Sequence, residues 1–318
     1  MAKSFKFIVF IMVTLLVLSA CGNKEEHHNK DTVAIKDAYG TEHVTKNPKR
    51  VVVLEYTFID HLAALGMTPV GIADEGSDKN ITKPVRDKLG KYESVGTREQ
   101  PNLEKISQLK PDLIIADESR HKKIRKDLKK IAPTLMLVSG AGDYDDNMKS
   151  FKTVSKALNK EKEGQQRLEK HDKILAEAKK KVEQSNLKSA FAFGVSHKGM
   201  FINTEETFMG EFLNKMGVKA ELPKSQTDHI GKQKDGPYKY LNNEELADID
   251  PKVMIVASNG KTDKNRTTFI DPKVWKSLQA VKDNKVYDVD RNKWMQFRGV
   301  ISSESMAHDL EKIAEQSK

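Results

Sequence analysis

The sequence has almost no cysteine and lacks the short motifs that mark several enzyme classes. Its single cysteine, Cys21, leaves no partner for an intrachain disulfide and too few thiolates for a structural zinc site. The chain contains no Gly-x-Gly-x-x-Gly fingerprint, no Walker loop, no His-Glu-x-x-His and no Gly-x-Ser-x-Gly elbow. A scattered Ser-His-Asp set stays open, although no pattern proposes one. We therefore expect a protein that is not an enzyme.

A hydrophobic run without charges is present at the N-terminus. Lys3 and Lys6 precede it, and it spans residues 7–18 before the sequence Leu-Ser-Ala-Cys that ends at Cys21. The run is too short for a comfortable membrane span, so residues 1–20 are predicted to be a signal peptide. The residues before Cys21 resemble the lipobox of bacterial lipoproteins. This resemblance implies that Cys21 is lipidated and holds the protein at the extracytoplasmic face of the cell membrane, followed by a polar tether over residues 21–36.

The charge balance is modestly basic. The formal net charge is +9, and it remains positive when Lys3 and Lys6 are removed with the signal peptide. A basic excess favours anionic ligands or an anionic membrane surface. The basic residues are interspersed with acidic ones and form no stripe, which argues against nucleic acid as a partner.

One segment of the sequence occurs twice, about 140 residues apart. Residues 102–116 and 243–257 both have the pattern of a short helix, a proline and a buried strand. In each copy a glutamate, Glu104 or Glu244, lies seven residues before the proline. A repeat of this spacing is too long for a solenoid unit, and it predicts two similarly built lobes.

The remaining pattern predicts an α/β fold of two doubly wound lobes with mostly parallel central sheets. The expected boundaries are 37–145 for the first lobe and 186–318 for the second. Residues 146–185 are highly charged and carry apolar residues at spacings of three, four and seven, which is typical of a long amphipathic helix or two abutting helices joining the lobes. The ligand is expected in the cleft between the lobes, at the carboxyl ends of the strands.

In this order, these features resemble the iron-siderophore and cobalamin class of substrate-binding proteins. Within that class, residues 95–98, 116–122 and 290–299 are most similar to lipoproteins for ferric citrate and citrate-based siderophores. The resemblance implies a monomer that captures a ferric chelate and delivers it to the permease of an ABC importer. The Fe(III) then belongs to the ligand, and the protein itself has no cofactor. Glu104 and Glu244 match the glutamates that pair with arginines on the two permease subunits.

A citrate-based chelate presents carboxylates, which the planar fork of arginine binds with two parallel hydrogen bonds. Arg98, Arg120 and Arg291 each follow a predicted strand, so they are expected in the cleft, with Arg298 and Arg125 as further candidates. Polar contacts are expected from His121, His197 and Tyr238, and Trp294 is expected either to cover the ligand or to be a buried anchor. The predicted ligand-binding residues are Arg98, Arg120, His121, His197, Tyr238, Arg291, Trp294 and Arg298.

Three alternatives remain open at this point. The first is another chelate, such as a hydroxamate or catecholate siderophore, haem or a corrinoid. The second is a bare transition-metal ion, which requires several His, Asp or Glu ligands to converge, whereas the histidines are spread over both lobes. The third is a surface-anchored hydrolase or adhesion domain.

Overall fold

The computed structural model describes residues 31–222 and 238–317. The predicted signal peptide and the lipidation site Cys21 lie outside the described residues. The tether predicted for residues 21–36 ends earlier than expected, because Thr32–Asp37 forms strand β1, which pairs with β2 (Gly40–Thr45). Within the described ranges, no helix is both long enough and apolar enough to cross a membrane.

The first lobe contains a five-stranded sheet in the order β5-β4-β3-β6-β7. All neighbouring strands in it are parallel. Four of the strands are buried along their whole length, as expected for a parallel sheet covered by helices, whereas the edge strand β5 is polar and partly exposed. Its strands are β3 (Val51–Val53), β4 (Gly71–Ile72), β5 (Glu93–Ser94), β6 (Leu113–Asp117) and β7 (Thr134–Leu137). Its helices are α1 (Tyr56–Ala64), α2 (Lys83–Arg86), α3 (Leu103–Gln108) and α4 (Arg125–Ile131).

The stretch predicted to connect the lobes folds as two consecutive helices, α5 (Tyr144–Ala157) and α6 (Glu161–Glu183). Asp143 caps α5 by accepting a hydrogen bond of 2.8 Å from the backbone N–H of Asp146. The two helices approach closely at Gly164, where a Cβ atom would lie 2.4 Å from the Ser155 hydroxyl. A side chain at this position would therefore force the helices apart.

The second lobe contains a mixed sheet in the order β11-β9-β8-β12-β13, with β10 beside β8. Strand β9 is antiparallel to both β8 and β11, and the other pairs are parallel. The strands are β8 (Ser189–Ser196), β9 (Gly199–Asn203), β10 (Lys219–Ala220), β11 (Tyr238–Leu241), β12 (Met254–Ser258) and β13 (Val286–Asp290). The helices are α7 (Phe208–Lys215), α8 (Asn243–Ile249), α9 (Lys264–Phe269), α10 (Pro272–Ser277) and α11 (Gln279–Lys282).

The repeated segments occupy equivalent places in the two lobes. Helices α3 and α8 both begin at an asparagine cap, and both are followed by a residue with a left-handed backbone just before the proline: Lys110, with a φ angle of 45°, and Asp250, with a φ angle of 39°. Each segment then enters a central strand, β6 or β12, that lies parallel to β3 or β8. The repeat in the sequence therefore corresponds to a repeat in the structure.

The last helix, α12 (Val300–Gln316), follows the second lobe in sequence but packs on α6 and on α1 of the first lobe. The carboxylate of Asp60 in α1 is fully buried and accepts hydrogen bonds of 2.9 and 2.8 Å from the backbone N–H groups of Ile301 and Ser302. The final helix of the predicted second lobe, residues 186–318, therefore joins that lobe to the first, because it also packs on the turn at residues 292–296. One apolar core contains residues from both lobes and from this helix.

Candidate functional site

A cavity of about 410 Å³ lies between the two lobes, where the carboxyl ends of the strands meet. We call it the interlobe cavity. The first lobe contributes residues that follow β3, β5, β6 and β7, and the second lobe contributes residues that follow β8 and β13. Among the lining residues, five are cationic and two are carboxylates: Arg98, Arg120, Lys198, Arg291 and Arg298 with Glu55 and Asp117. This placement matches the ligand position expected for doubly wound sheets.

A second cavity, of about 580 Å³, lies on the second lobe beside Trp275 and Asp288. It is larger, but it contains none of the predicted site residues. Arg266 lies in its wall, stacked at 5.1 Å on Trp275 and paired with Asp288. The interlobe cavity is the candidate functional site, because residues at the strand ends of both lobes converge there.

The guanidinium of Arg98 contacts four other side chains. Its guanidinium lies 4.1 Å above the ring of Tyr56, and its Nε is 2.8 Å from a carboxylate oxygen of Glu75. Its Nη1 is 3.5 Å from a carboxylate oxygen of Glu55, and its Nη2 donates a hydrogen bond of 2.8 Å to Gln296 of the second lobe. Burial lowers the pKa of Arg98, but the carboxylates of Glu55 and Glu75 outweigh this effect and raise it above the ordinary value. The side chain is therefore a fixed positive charge.

Arg120 lies beside Arg98 at the end of β6. Its backbone N–H donates a hydrogen bond of 2.7 Å to Asp117, and its guanidinium is paired with Glu55 and Glu99. Glu55 thus contacts both arginines, and only 3% of its side chain is exposed. The first lobe presents a pair of oriented guanidiniums that share one buried carboxylate at the cavity wall.

Arg298 contributes from the second lobe and crosses to the first. It is almost fully buried, and its Nε donates a hydrogen bond of 2.8 Å to the carbonyl of Met295. Its NH1 donates to the carbonyls of Ser139 and Gly140, which follow β7. Arg291 lines the same wall directly after β13. The positions of these arginines agree with the predicted cleft location, and their contact with a ligand stays a prediction.

His121 does not line the interlobe cavity, contrary to the prediction. The ring is buried, and its Nδ1 accepts a hydrogen bond of 2.9 Å from the backbone N–H of Asp117. Its Nε2 lies 2.8 Å from the carbonyl of Arg98 and, in the tautomer with an unprotonated Nδ1, donates to it. Burial lowers the pKa of His121, which favours the neutral ring that this pattern needs. His121 therefore positions the backbone that carries Arg98.

Trp294 also lies away from the interlobe cavity. Its side chain is fully buried, and the indole N–H donates a hydrogen bond of 2.9 Å to Asp309 of α12. Asp309 also pairs with Lys293 at 2.9 Å. The expected ligand cover is thus wrong for Trp294, and the buried-anchor reading is confirmed, because the π-helical turn Asn292–Gln296 directs the indole into the core. That turn fixes Gln296 at the cavity wall.

The remaining predicted residues are placed as follows. His197 is exposed in the turn between β8 and β9 and lines the interlobe cavity beside Lys198. The side chain of Tyr238 lies outside the described residues. Arg125 does not line the cavity, and its guanidinium lies 4.8 Å from the ring centre of Tyr39. Glu104 and Glu244 are exposed in the first turns of α3 and α8.

Several lining residues were missing from the sequence-based prediction. Tyr240 pairs with Phe201 across β11 and β9, and their ring centres are 6.1 Å apart at the cavity wall. Tyr240 lies two positions after the predicted Tyr238, and this spacing, which is the side-chain period of a strand, is the sequence signal that could have found it. Glu55 and Gln296 were also missed, since their roles depend on contacts with Arg98, distant in sequence.

The described residues, 31–222 and 238–317, contain no group of three or more His, Cys, Asp or Glu side chains arranged to hold a metal ion. Among the residues that line the interlobe cavity, positively charged hydrogen-bond donors outnumber carboxylates five to two. Such groups suit an anionic ligand with oxygen acceptors.

A family model described as "Periplasmic binding protein" matches residues 51–292, which include both sheets and the strand ends around the interlobe cavity. The chain belongs to this family. Members of the family are substrate-binding proteins, and the two-lobed α/β architecture with its interlobe cavity agrees with that assignment.

Two curated relatives cover almost the whole chain. The Fe(3+)-citrate-binding protein YfmC of Bacillus subtilis is 40% identical over 310 residues, which are 94% of this chain and 93% of that protein. The Fe(3+) dicitrate-binding periplasmic protein FecB of Escherichia coli is 36% identical over 88% of this chain and 89% of that protein.

A similar solved structure is that of Staphylococcus aureus SirA complexed with staphyloferrin B. It is 30% identical and superimposes with a TM-score of 0.73 over 89% of this chain and 99% of that chain. The petrobactin-binding protein YclQ of Bacillus subtilis also superimposes with a TM-score of 0.73 at 24% identity, which shows the shared fold.

Proposed function

We propose that this protein binds a ferric chelate built on citrate carboxylates in its interlobe cavity and delivers it to the permease of an ABC importer. The observation that carries the proposal is the convergence of cationic side chains from both lobes on one cavity. The iron is cargo held by the chelate, and the protein contributes no metal ligand of its own.

The chemistry of the cavity supports a carboxylate ligand. Guanidinium groups donate pairs of parallel hydrogen bonds that fit a carboxylate, and they remain charged at every physiological pH. Arg98 and Arg120 come from one lobe, and Arg291 and Arg298 from the other. An anion that spans the cavity contacts both sets, so its binding holds the lobes together. The cavity wall formed by Phe201 and Tyr240 offers an apolar surface for the carbon framework of the chelate.

The relatives support the same ligand class. The names of YfmC and FecB specify Fe(3+)-citrate and Fe(3+) dicitrate, and both proteins align with nearly the full length of this chain. We infer that this chain shares their substrate class. A neutral or cationic hydroxamate chelate would gain little from this positively charged cavity.

Delivery is assigned to Glu104 and Glu244. Both are exposed, and they occupy equivalent positions on equivalent helices, one in each lobe. Two acidic side chains at a fixed separation orient the protein on a permease that presents two basic sites. We further propose that the protein works as a monomer, anchored through a lipid on Cys21 at the extracytoplasmic face of the membrane.

The experiment that tests the ligand is a calorimetric titration of the domain that begins after Cys21. The panel contains ferric citrate, iron-free citrate, a ferric hydroxamate and haem. The proposal predicts saturable binding of ferric citrate that is tighter than binding of iron-free citrate, and no comparable binding of the other two. Binding of the hydroxamate or haem in preference to ferric citrate would reject the proposed ligand and leave the family assignment in place.

A further inference from the structure

Glu55 occupies an unusual place for a carboxylate at the start of a helix. It lies two residues after the end of β3 and is the N-cap residue of α1, yet its side chain makes no capping hydrogen bond. The side chains that ordinarily cap a helix by accepting a hydrogen bond from its first turn are those of Ser, Thr, Asp and Asn, which are shorter than that of glutamate. The Glu55 carboxylate instead lies between the guanidiniums of Arg98 and Arg120 and lines the interlobe cavity. Its local sequence position therefore does not explain its conformation, whereas the two arginines do.

The other acidic partners of these arginines lie closer to solvent. The side chain of Glu99, which pairs with Arg120, is 73% exposed, and that of Glu75, which pairs with Arg98, is 31% exposed. The corresponding value for Glu55 is 3%. Exposed ion pairs are weak and exchange readily with solvent, whereas a buried charge must remain paired. An incoming anion can therefore displace Glu99 or Glu75, while Glu55 stays with the arginine pair.

We propose that Glu55 is the specificity-determining residue of the interlobe cavity, because it acts as a fixed internal counter-anion for Arg98 and Arg120. This inference rests on the proposed function. With Glu55 in place, a small anion that reaches only this pair meets two cations that are already neutralised in part, and a carboxylate that repels it. A larger anion also reaches Arg291 and Arg298 of the second lobe, so its binding depends less on the neutralised pair.

The consequence is discrimination between a chelate and its free building block. Free citrate can engage the Arg98–Arg120 pair alone, and Glu55 makes that engagement weak. A ferric chelate large enough to span the cavity gains hydrogen bonds from both lobes. Specificity of this kind comes from a repulsive element as well as from attractive contacts. Glu55 thereby keeps the site from filling with small carboxylates.

The test compares Glu55→Gln with the wild-type protein, using calorimetry with iron-free citrate and with ferric citrate. We expect Glu55→Gln to bind iron-free citrate about tenfold more tightly, a change that corresponds to about 1.4 kcal/mol. Affinity for ferric citrate should rise by a smaller factor, so the ratio of the two affinities narrows. The matched control is Glu99→Gln, which removes the exposed acidic partner of Arg120. It should change the affinity for either ligand by less than about threefold.

One further measurement and one further variant keep the result decisive. Thermal unfolding shows whether Glu55→Gln is folded. The variant Glu55→Asp keeps the negative charge but shortens the side chain by one methylene group, so its ratio of ferric citrate affinity to iron-free citrate affinity should lie between those of the wild-type protein and Glu55→Gln. An equal fall in both affinities would mean that Glu55 only orients the arginines, and an equal rise would mean a general charge effect. Either outcome overturns the inference.

The inference and the proposed function can fail separately. If the wild-type protein binds ferric citrate but the affinity ratio is the same in Glu55→Gln, the proposed function stands and the role of Glu55 is rejected. If the wild-type protein does not bind ferric citrate, the proposed function fails. The gain of iron-free citrate binding by Glu55→Gln then decides alone whether Glu55 shields the arginine pair.

Discussion

Arg98 in the first lobe donates a hydrogen bond of 2.8 Å to the side-chain oxygen of Gln296 in the second lobe. Tyr56, on which Arg98 is stacked, in turn stacks on Phe297 with ring centres 4.5 Å apart. Arg98 therefore belongs to the contact between the lobes as well as to the wall of the interlobe cavity. A ligand that binds Arg98 must share or replace the Gln296 contact.

Closure of the lobes on ligand binding is expected to be small. One core extends through both lobes, and Arg167 of α6 donates hydrogen bonds of 2.6 and 2.8 Å to Glu304 of α12. Packed cores and helices resist continuous deformation. X-ray scattering profiles of the protein with and without ferric citrate should therefore superimpose. A clear decrease in the radius of gyration on adding the ligand would contradict this prediction.

Loss of the two exposed glutamates should separate binding from uptake. The double variant Glu104→Ala with Glu244→Ala is expected to bind ferric citrate as the wild-type protein does, because neither residue lines the interlobe cavity. Uptake of radiolabelled iron by cells carrying it should be lost. The control substitutes Glu163 and Glu315, which are also exposed on helices, and should transport normally. Normal iron uptake by cells carrying the Glu104→Ala, Glu244→Ala variant would show that the protein docks on the permease through another surface.

Asp60 should be a major contributor to stability. Its carboxylate accepts two backbone hydrogen bonds and the hydroxyl bond of Ser302, and all of these groups are buried. Asp60→Ala leaves them unpaired, so we expect the free energy of unfolding to fall by at least about 2 kcal/mol in urea denaturation. The control is Asp87→Ala, which removes an exposed partner of Lys83 and should cost less than about 0.5 kcal/mol. An equally small effect of both variants would show that Asp60 does not anchor α12.

His61 should make the protein sensitive to acid. Its ring is buried beside Phe151, with ring centres 5.4 Å apart, and burial lowers its pKa from 6.5 to about 3. Between these values the unfolded chain binds a proton that the folded protein excludes, so stability falls as the pH decreases below 6.5.

The variant His61→Phe lacks this proton uptake and should show a flatter pH dependence. On going from pH 7.5 to pH 5, we expect the wild-type protein to lose about 2 kcal/mol more free energy of unfolding than the variant. Urea denaturation at the two pH values measures the difference, and circular dichroism at pH 7.5 verifies that the variant is folded. Parallel losses in the two proteins would show that His61 does not control the acid response.

The parts of the structure that follow from local pattern were predictable from the sequence. The run Val51–Val53 is apolar because a parallel strand is buried on both faces, and the repeated segments show the same cap, proline and strand in both lobes. The carboxyl ends of the strands then place Arg98, Arg120 and Arg291 at one cavity. These inferences need only strand direction and order, which the sequence pattern indicates.

The parts that depend on distant contacts were not predictable. Asp60 and Ile301 are 241 positions apart, so no local pattern assigns the final helix to the first lobe. His121 and Trp294 have the chemistry of ligand contacts, but the loop conformations direct both side chains inward. Glu55 carries no local sequence signal of its role, which only the two arginines on either side of it in the structure reveal.

The central claim, that arginines of the interlobe cavity hold the carboxylates of a ferric chelate, is tested most directly by the affinity of Arg98→Ala for ferric citrate. Calorimetry should show a loss of at least about 1.5 kcal/mol relative to the wild-type protein, as expected for a hydrogen bond to a charged group. The control is Lys91→Ala, which removes one exposed positive charge ahead of β5, whereas Arg98 follows that strand. Undiminished affinity of Arg98→Ala, or an equal loss in both variants, would contradict the account.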